Sequence, residues 1–295
     1  VTFGQNFDRP LPPGVLPPYL RIVTFGQNFN QPLPPGVFPP KLRIVTFGQN
    51  FNNGDKPFTK NERIFPDSVE QVFFGGNFNQ QLVPGLFPKI GKNAEKSIIA
   101  FGGKFNNGGQ AFTASEQIFP DSVIEVHFGD DFNQQLVPGM WSENAKIELI
   151  TFGDEFNNGY KAFDNPLEHG EKVFPASVTE VAFGSKFNQK LVPYLWGEKV
   201  KKLAFGEKFN NGGEPFTKKE QVFPDSVTEV KFGKKFNQKL VPGMWGKKGI
   251  VKHLDFGNNF NNGGEPFTEN EKVFPNNTKK ITFGDGFNQQ LVRGM

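Results

Sequence analysis

Apolar and polar positions alternate along this chain in a short pattern that recurs from one end to the other. An apolar residue, two variable residues, a second apolar residue and one more variable residue lead into Phe-Gly, as at Val227, Val230 and Phe232. The position two before the phenylalanine is Val, Ile or Leu in every recurrence. Alternation that is rich in β-branched residues and closed by glycine predicts a short strand with one buried face.

The Phe-Gly pair defines the repeat. Successive pairs are 22 to 31 residues apart, and a second phenylalanine follows four residues after each first one. The first phenylalanines are Phe3, Phe25, Phe47, Phe74, Phe101, Phe128, Phe152, Phe183, Phe205, Phe232, Phe256 and Phe283. The residue after the second phenylalanine is Asn in eleven units and Asp8 in the first. A fixed period of this length is the signature of a stacked repeat architecture.

A strand this short is not stable alone, so the units must stack and satisfy one another's backbone groups. We therefore predict a leucine-rich-repeat-like solenoid with one short parallel strand per unit, about twelve rungs and little helix. Phenylalanines in register would form aromatic columns, and the asparagines an amide column that satisfies buried turns. The predicted structural ladder includes Phe183, Phe187, Asn188, Phe205, Phe209, Asn210, Phe232, Phe236 and Asn237.

Two kinds of unit predict the domain organisation. Residues 1–46 hold two plain 22-residue units, and residues 47–295 alternate inserted and plain units. Inserted units carry Asn-Gly and, in four cases, a Thr-x-x-Glu pattern that predicts a capping box opening a brief helical turn. We expect residues 1–295 to form a single elongated repeat domain that is part of a longer chain.

Composition and charge narrow the classes of function. The chain has 295 residues, no Cys, and 33 Lys and Arg against 30 Asp and Glu. Absent cysteine excludes disulfides and thiol chemistry. Lys and Glu are interleaved, which predicts no nucleic-acid partner, and no apolar run approaches the ~20 residues of a membrane span. No signal peptide is visible, so the location is open between cytoplasm and virus particle.

The motif Phe-Gly-x-x-Phe-Asn-Gln-x-Leu, followed by Pro-Gly and later Phe-Pro-Asp-Ser-Val, resembles the FNIP repeat. This family is related to leucine-rich repeats and typical of social amoebae and large DNA viruses of amoebae. The name-giving Phe-Asn-x-Pro is intact at Phe29–Pro32, so the chain resembles a divergent member with alternating inserted units. The resemblance implies a leucine-rich-repeat-like solenoid and protein–protein recognition. Many members carry an F-box, which has no match in this sequence.

Catalysis and metal binding require convergent polar groups, and the three histidines are the first candidates for such groups. His127 and His253 occur five units apart, about 24 Å at the rise of one strand per rung, so they cannot share a site. We predict no catalytic residue, no metal and no cofactor.

The sequence favours binding of a partner over catalysis or metal binding. The positions one and three before each Phe-Gly face outward and vary from unit to unit. The possible partner-binding strip comprises Phe73, Glu125, His127, Glu180, Lys202, Glu229, Lys231, His253 and Asp255. A solvated sheet face whose mixed charges prevent aggregation is the alternative. A row of Trp141, Trp196 and Trp245 is a second candidate surface, or packing at the edge of the core.

Two functions remain open. The first is a non-enzymatic scaffold that binds a protein partner. The second is a structural rod, such as a fibre, spike or virion-surface component, that self-associates along the solenoid axis.

Overall fold

The computed structural model describes residues 1–87, 97–163 and 173–295. The chain forms two compact bodies, Val1–Gly153 and Asp154–Met295, here the first and the second body. The single elongated domain expected from the repeat stays a prediction.

Each strand consists of the three residues that precede a Phe-Gly pair, as the alternation predicts. In the first body the strands are β1 (Ile22–Thr24), β2 (Ile44–Thr46), β3 (Gln71–Phe73), β4 (Ile98–Ala100), β5 (Glu125–His127) and β6 (Leu149–Thr151). In the second body they are β7 (Glu180–Ala182), β8 (Lys202–Ala204), β9 (Glu229–Lys231), β10 (His253–Asp255) and β11 (Lys280–Thr282). Within each body, consecutive strands pair in parallel and in register.

The fold class is confirmed: the chain is a parallel β-solenoid with one strand per repeat unit. The count of about twelve rungs is slightly high, because the described residues contain eleven strands. The unit of Phe3 contributes an isolated bridge, Thr2 to Thr24, instead of a three-residue strand.

Two columns of phenylalanine rings form the core beneath the strands. Within one rung the two rings stack closely, for example with 3.9 Å between the centroids of Phe183 and Phe187. Between rungs, the centroids of Phe187 and Phe209 are 5.9 Å apart. Both side chains are fully buried. A ring in these columns therefore buries its own area and contacts rings above and below, which makes the columns a large part of the stability.

The asparagine after the second phenylalanine links each rung to the next. The side-chain Oδ1 of Asn188 accepts hydrogen bonds from the backbone N–H groups of Asn210 (2.7 Å) and Gly212 (3.0 Å). Asn210 Oδ1 accepts in turn from the N–H of Asn237 at 2.8 Å. Each amide thus satisfies turn donors of the following rung.

The inserted units contribute a second, buried asparagine that the sequence pattern alone does not distinguish from an ordinary turn residue. Asn211 is 1 % exposed and has a φ of 54°. Its Oδ1 accepts from the N–H of Leu191 in the preceding plain unit at 2.8 Å, and its Nδ2 donates to the carbonyl of Glu214 at 2.8 Å. The same side chain therefore links an inserted unit to the plain unit before it by a hydrogen bond. It also closes its own 3-10 turn, Asn211–Gly213.

The Asn211→Ala variant is expected to lower the free energy of unfolding by about 2–4 kcal/mol, because the Leu191 N–H and the Glu214 carbonyl lose their partners and alanine disfavours positive φ. Asn211→Gly removes the same hydrogen bonds but permits the backbone angle, so the difference between the two variants isolates the backbone term. Urea unfolding measures both. Equal stability of Asn211→Ala and the unchanged protein would contradict this role.

The expected helical turn at Thr-x-x-Glu is wrong. At Thr59 a β-turn forms instead, closed by a hydrogen bond of 3.1 Å from the Glu62 N–H to the Thr59 carbonyl. The reason is the third residue of the pattern, because Asn61 has a φ of 63°, outside the helical region. The capping contact itself exists, since Glu62 Oε2 accepts from the N–H of Thr59 at 3.2 Å. Among the residues that the structure describes, helical residues occur instead at five Asn-Gly turns, as single 3-10 turns.

Candidate interaction surface on the strand face

The first and third residues of each strand point away from the phenylalanine columns, while the middle residue is turned inward. In β8, for example, Leu203 is buried whereas Lys202 is exposed and Ala204 half-buried. Parallel in-register pairing aligns the outward residues in two rows per body. The predicted partner-binding strip occupies these rows, with Phe73, Glu125 and His127 in the first body and Glu180, Lys202, Glu229, Lys231, His253 and Asp255 in the second.

The first-body part of the strip contains a small polar network. His127 Nδ1 lies 2.8 Å from the Thr151 hydroxyl, and His127 Nε2 lies 3.3 Å from Glu125 Oε2. The network fixes the imidazole on the strand face between two neighbouring strands, β5 and β6. The histidine is half-buried, and both of its ring nitrogens are engaged within the network.

In the second body the strip is dominated by charge. Lys202 Nζ and Glu180 Oε1 form an ion pair of 2.7 Å between adjacent strands. The hydrogen bond to Glu180 raises the pKa of the Lys202 ammonium, and the charge of that carboxylate acts in the same direction. Since both side chains are about half exposed, at 51 % and 42 %, the pair contributes little to stability. Its main effect is on the charge pattern of the strand face.

The two bodies present faces of different chemistry, which the sequence reasoning missed. The first position of the strands in the first body is mainly aliphatic, as at Ile22, Ile44 and Ile98. In the second body the same position is charged or titratable in every strand. These residues are Glu180, Lys202, Glu229, His253 and Lys280. Reading one strand position down successive units would have revealed the difference.

The tryptophan row is packing within the fold. Trp245 is 6 % exposed, its ring stacks on that of Phe223 at a centroid distance of 4.7 Å, and its indole N–H donates to the Val273 carbonyl at 2.8 Å. Trp196 has the same surroundings, with its indole N–H donating to the Val222 carbonyl at 3.1 Å. Trp141 stacks on Phe119. A row buried in this way presents no continuous aromatic surface to a partner.

Three grooves recur at one place in the repeat, beside the Phe-Pro-Asp-Ser segments. Their volumes are about 930, 510 and 350 Å³. Each is lined by the proline, aspartate and serine of one such segment, with aspartates Asp121, Asp225 and Asp67 respectively. Because they recur, the grooves are a consequence of the stacking of inserted units on plain units. They are not a single specialised site.

Within the described ranges, no three His, Cys, Asp or Glu side chains are grouped closely enough to hold a metal ion. Over the same residues, no helix has the length and apolar character needed to cross a membrane.

Comparison with known proteins supports this picture of the fold. Residues 7–50 match the FNIP repeat. A solved structure, the crystal structure of CroV588, described as a novel circular LRR protein and originating from a giant virus, is similar to this chain with a TM-score of 0.70 and 30 % sequence identity. The similarity covers 98 % of this chain and 40 % of that one, so the chain spans two fifths of its length. No curated protein matches the sequence significantly.

The resemblance stated from the motifs is confirmed by these matches. Two independent features agree with it, the sequence of the repeats within residues 7–50 and the leucine-rich-repeat-like fold. Residues 7–50 therefore match the FNIP repeat, and the repeats of this chain build a leucine-rich-repeat-like parallel β-solenoid.

Proposed function

We propose that this chain is a non-enzymatic scaffold that recognises a protein partner through the outward face of its strands. The observation that carries the proposal is the difference between the inward and the outward positions of each unit. Inward positions hold the same residue types from unit to unit, whereas outward positions differ and, apart from the buried Ile98, are exposed or half-buried. Variable side chains held at fixed spacing on a rigid sheet are suited to recognition, because binding then orders little that was mobile before.

Fold class supports this proposal in general terms, since leucine-rich-repeat-like solenoids are commonly interaction scaffolds and typically lack enzymatic activity. The residues proposed to contact the partner are those of the predicted strip. His127 and Glu125 would serve as polar contacts in the first body, and the charged pairs of the second body would set specificity.

A photo-crosslinking experiment tests the proposal. Benzoylphenylalanine replaces Lys231 on the strand face in one variant and Glu214 on an inserted loop in a matched control; both side chains are exposed. In an extract of the source cells, the Lys231 variant is expected to capture one defined partner protein, and the Glu214 variant much less of it. Equal capture at both positions would contradict recognition through the strand face.

A structural role is the second candidate, and one observation favours it. Almost every residue that recurs in the repeat is engaged in contacts between rungs, as the phenylalanine columns and the Asn188 hydrogen bonds illustrate. In that case the stacked solenoid is itself the functional feature, and the strand face is simply exposed to solvent. Crosslinks from Lys231 that join copies of this chain to one another, with no other protein captured, would favour this role.

A further inference from the structure

A column of lysines lies along one end of the strands in the second body. The residue directly before the strand is Lys201 for β8, Lys252 for β10 and Lys279 for β11, while Thr228 occupies this position before β9. Backbone hydrogen bonds fix these residues in register: the Lys201 carbonyl accepts from the N–H of Thr228 at 2.8 Å, and the Lys252 carbonyl from the N–H of Lys279 at 2.8 Å. Since neighbouring strands are about 4.8 Å apart, the three ammonium groups originate within roughly 15 Å of one another.

The charge of this column is not neutralised by the protein. Lys201, Lys252 and Lys279 are exposed, and among the described residues none of them lies within ion-pair distance of a carboxylate. The adjacent outward row adds His253 and Lys280 on the same two final strands, β10 and β11. We name Lys201, Lys252, Lys279 and Lys280 the lysine column.

The first body provides an internal comparison at the same repeat position. There the residues before β2 and β3 are Arg43 and Glu70, and they form an ion pair of 2.7 Å. The residue before β4 is Ser97, which is buried. Net charge follows the same division: residues 154–295 carry 21 basic and 17 acidic side chains, a difference of +4, against 12 and 13 in residues 1–153, a difference of −1. The unneutralised column therefore belongs to the second body.

We propose that the lysine column binds an acidic, extended peptide segment of a protein partner. The proposal rests on the function proposed above and names the chemistry of the partner. Alternate side chains of an extended peptide lie on one side, about 6.6 Å apart. Flexible lysines that are one strand apart (Lys252 and Lys279) or two strands apart (Lys201 and Lys252) can reach such carboxylates. Opposite charges at this spacing attract at long range and would guide the partner onto the adjoining strand face.

An extended peptide fits better than a single-stranded nucleic acid. Carboxylates of Glu180, Glu229 and Asp255 lie on the face beside the column and would repel a continuous phosphate backbone. Single-stranded nucleic acids also rely on aromatic side chains for base stacking. The outward positions of β7 to β11 hold no Phe, Tyr or Trp. A partner with spaced carboxylates and intervening neutral residues avoids both difficulties.

Fluorescence anisotropy with a labelled synthetic peptide of alternating Glu and Gly tests the proposal on the full chain in about 100 mM salt. The double variant Lys252→Gln with Lys279→Gln is expected to bind the peptide about fivefold or more weakly than the unchanged chain. The matched control is Lys234→Gln with Lys235→Gln. It removes the same charge from exposed residues at the opposite end of the strands, about 10 Å or more away, which is one Debye length at this salt. We expect less than a twofold change for the control.

Three outcomes would overturn the proposal: no binding by the unchanged chain, equal loss in both double variants, or tighter lysine-dependent binding of an oligothymidylate than of the peptide. The first two exclude the column as a specific site, and the third assigns it to nucleic acid. Urea midpoints within error of the unchanged chain establish that the variants are folded. If Lys231 crosslinks a partner but the peptide does not bind, only the partner chemistry is wrong; if no partner is captured either, the proposed function fails as well.

Discussion

Replacing Phe187 with alanine is expected to lower the free energy of unfolding by about 3–5 kcal/mol. The ring is fully buried and stacks on Phe183 within its own rung, with centroids 3.9 Å apart. It also contacts the rings of Phe156 and Phe209 in the rungs on either side, at 6.0 and 5.9 Å. Because neighbouring backbones are held by hydrogen bonds between rungs, the structure cannot collapse into the space left by the ring. The loss therefore includes a cavity as well as buried area.

The matched control is Phe287→Ala, at the same motif position in the unit that contains β11. Phe287 stacks on Phe283 at 3.9 Å and on Phe260 at 5.9 Å, and it is only half-buried. We expect about half of the effect or less. Urea unfolding gives both values, and amide hydrogen exchange shows whether the loss is local, since repeat proteins need not unfold as one unit. A loss below about 1 kcal/mol for Phe187→Ala would contradict the column.

The sequence was sufficient to predict the strands and the direction of their side chains because both follow from local rules. Alternation before Phe-Gly places Val230 inward and Glu229 and Lys231 outward, and a constant spacing between the two phenylalanines implies in-register stacking. These features depend on the periodicity within one unit and on the repetition of that unit. Both can be read directly from the sequence.

The sequence alone did not predict the features that depend on the contact between an inserted unit and a plain unit. Asn211 reads as part of an ordinary Asn-Gly turn, yet its side chain is buried against Leu191 of the preceding unit. Its role appears only when the register of an inserted unit on a plain unit is known. The lysine column was likewise hidden, because charges were compared within each unit and not down one position of successive units. The insert that departs from the others, at Asp164–Pro166, lies outside the described residues.

The glycine after the first phenylalanine is the most sensitive backbone position of the repeat. Either a positive φ or a close backbone approach could require glycine there, and the structure favours the second. Gly233 lacks a positive φ, but a Cβ at this residue would lie 1.7 Å from the carbonyl oxygen of Gly206 and 2.5 Å from its carbonyl carbon. Gly206 meets Gly184 in the same way, at 1.9 Å. Rungs therefore contact each other backbone to backbone at this corner, where no flexible side chain can give way.

Gly233→Ala is accordingly expected to lower the free energy of unfolding by about 3 kcal/mol or more, at the upper end of the cost of overpacking, since relief requires two rungs to separate. That separation would also strain the hydrogen bond from the Phe205 N–H to the Lys231 carbonyl, now 2.8 Å. Urea unfolding measures the loss, and hydrogen exchange is expected to localise it to β8, β9 and β10.

Gly4→Ala is the decisive control because Gly4 occupies the same motif position without the close backbone contact. It lacks a positive φ, and a Cβ there would meet no atom within 4 Å. Alanine at Gly4 should then be neutral, or stabilise the chain by up to about 1 kcal/mol through the lower entropy of the unfolded state. The two substitutions are chemically identical, so opposite effects at Gly4 and Gly233 can come only from the contact between rungs. If both were neutral, the rungs would not touch at this corner, and the requirement for glycine would have another cause.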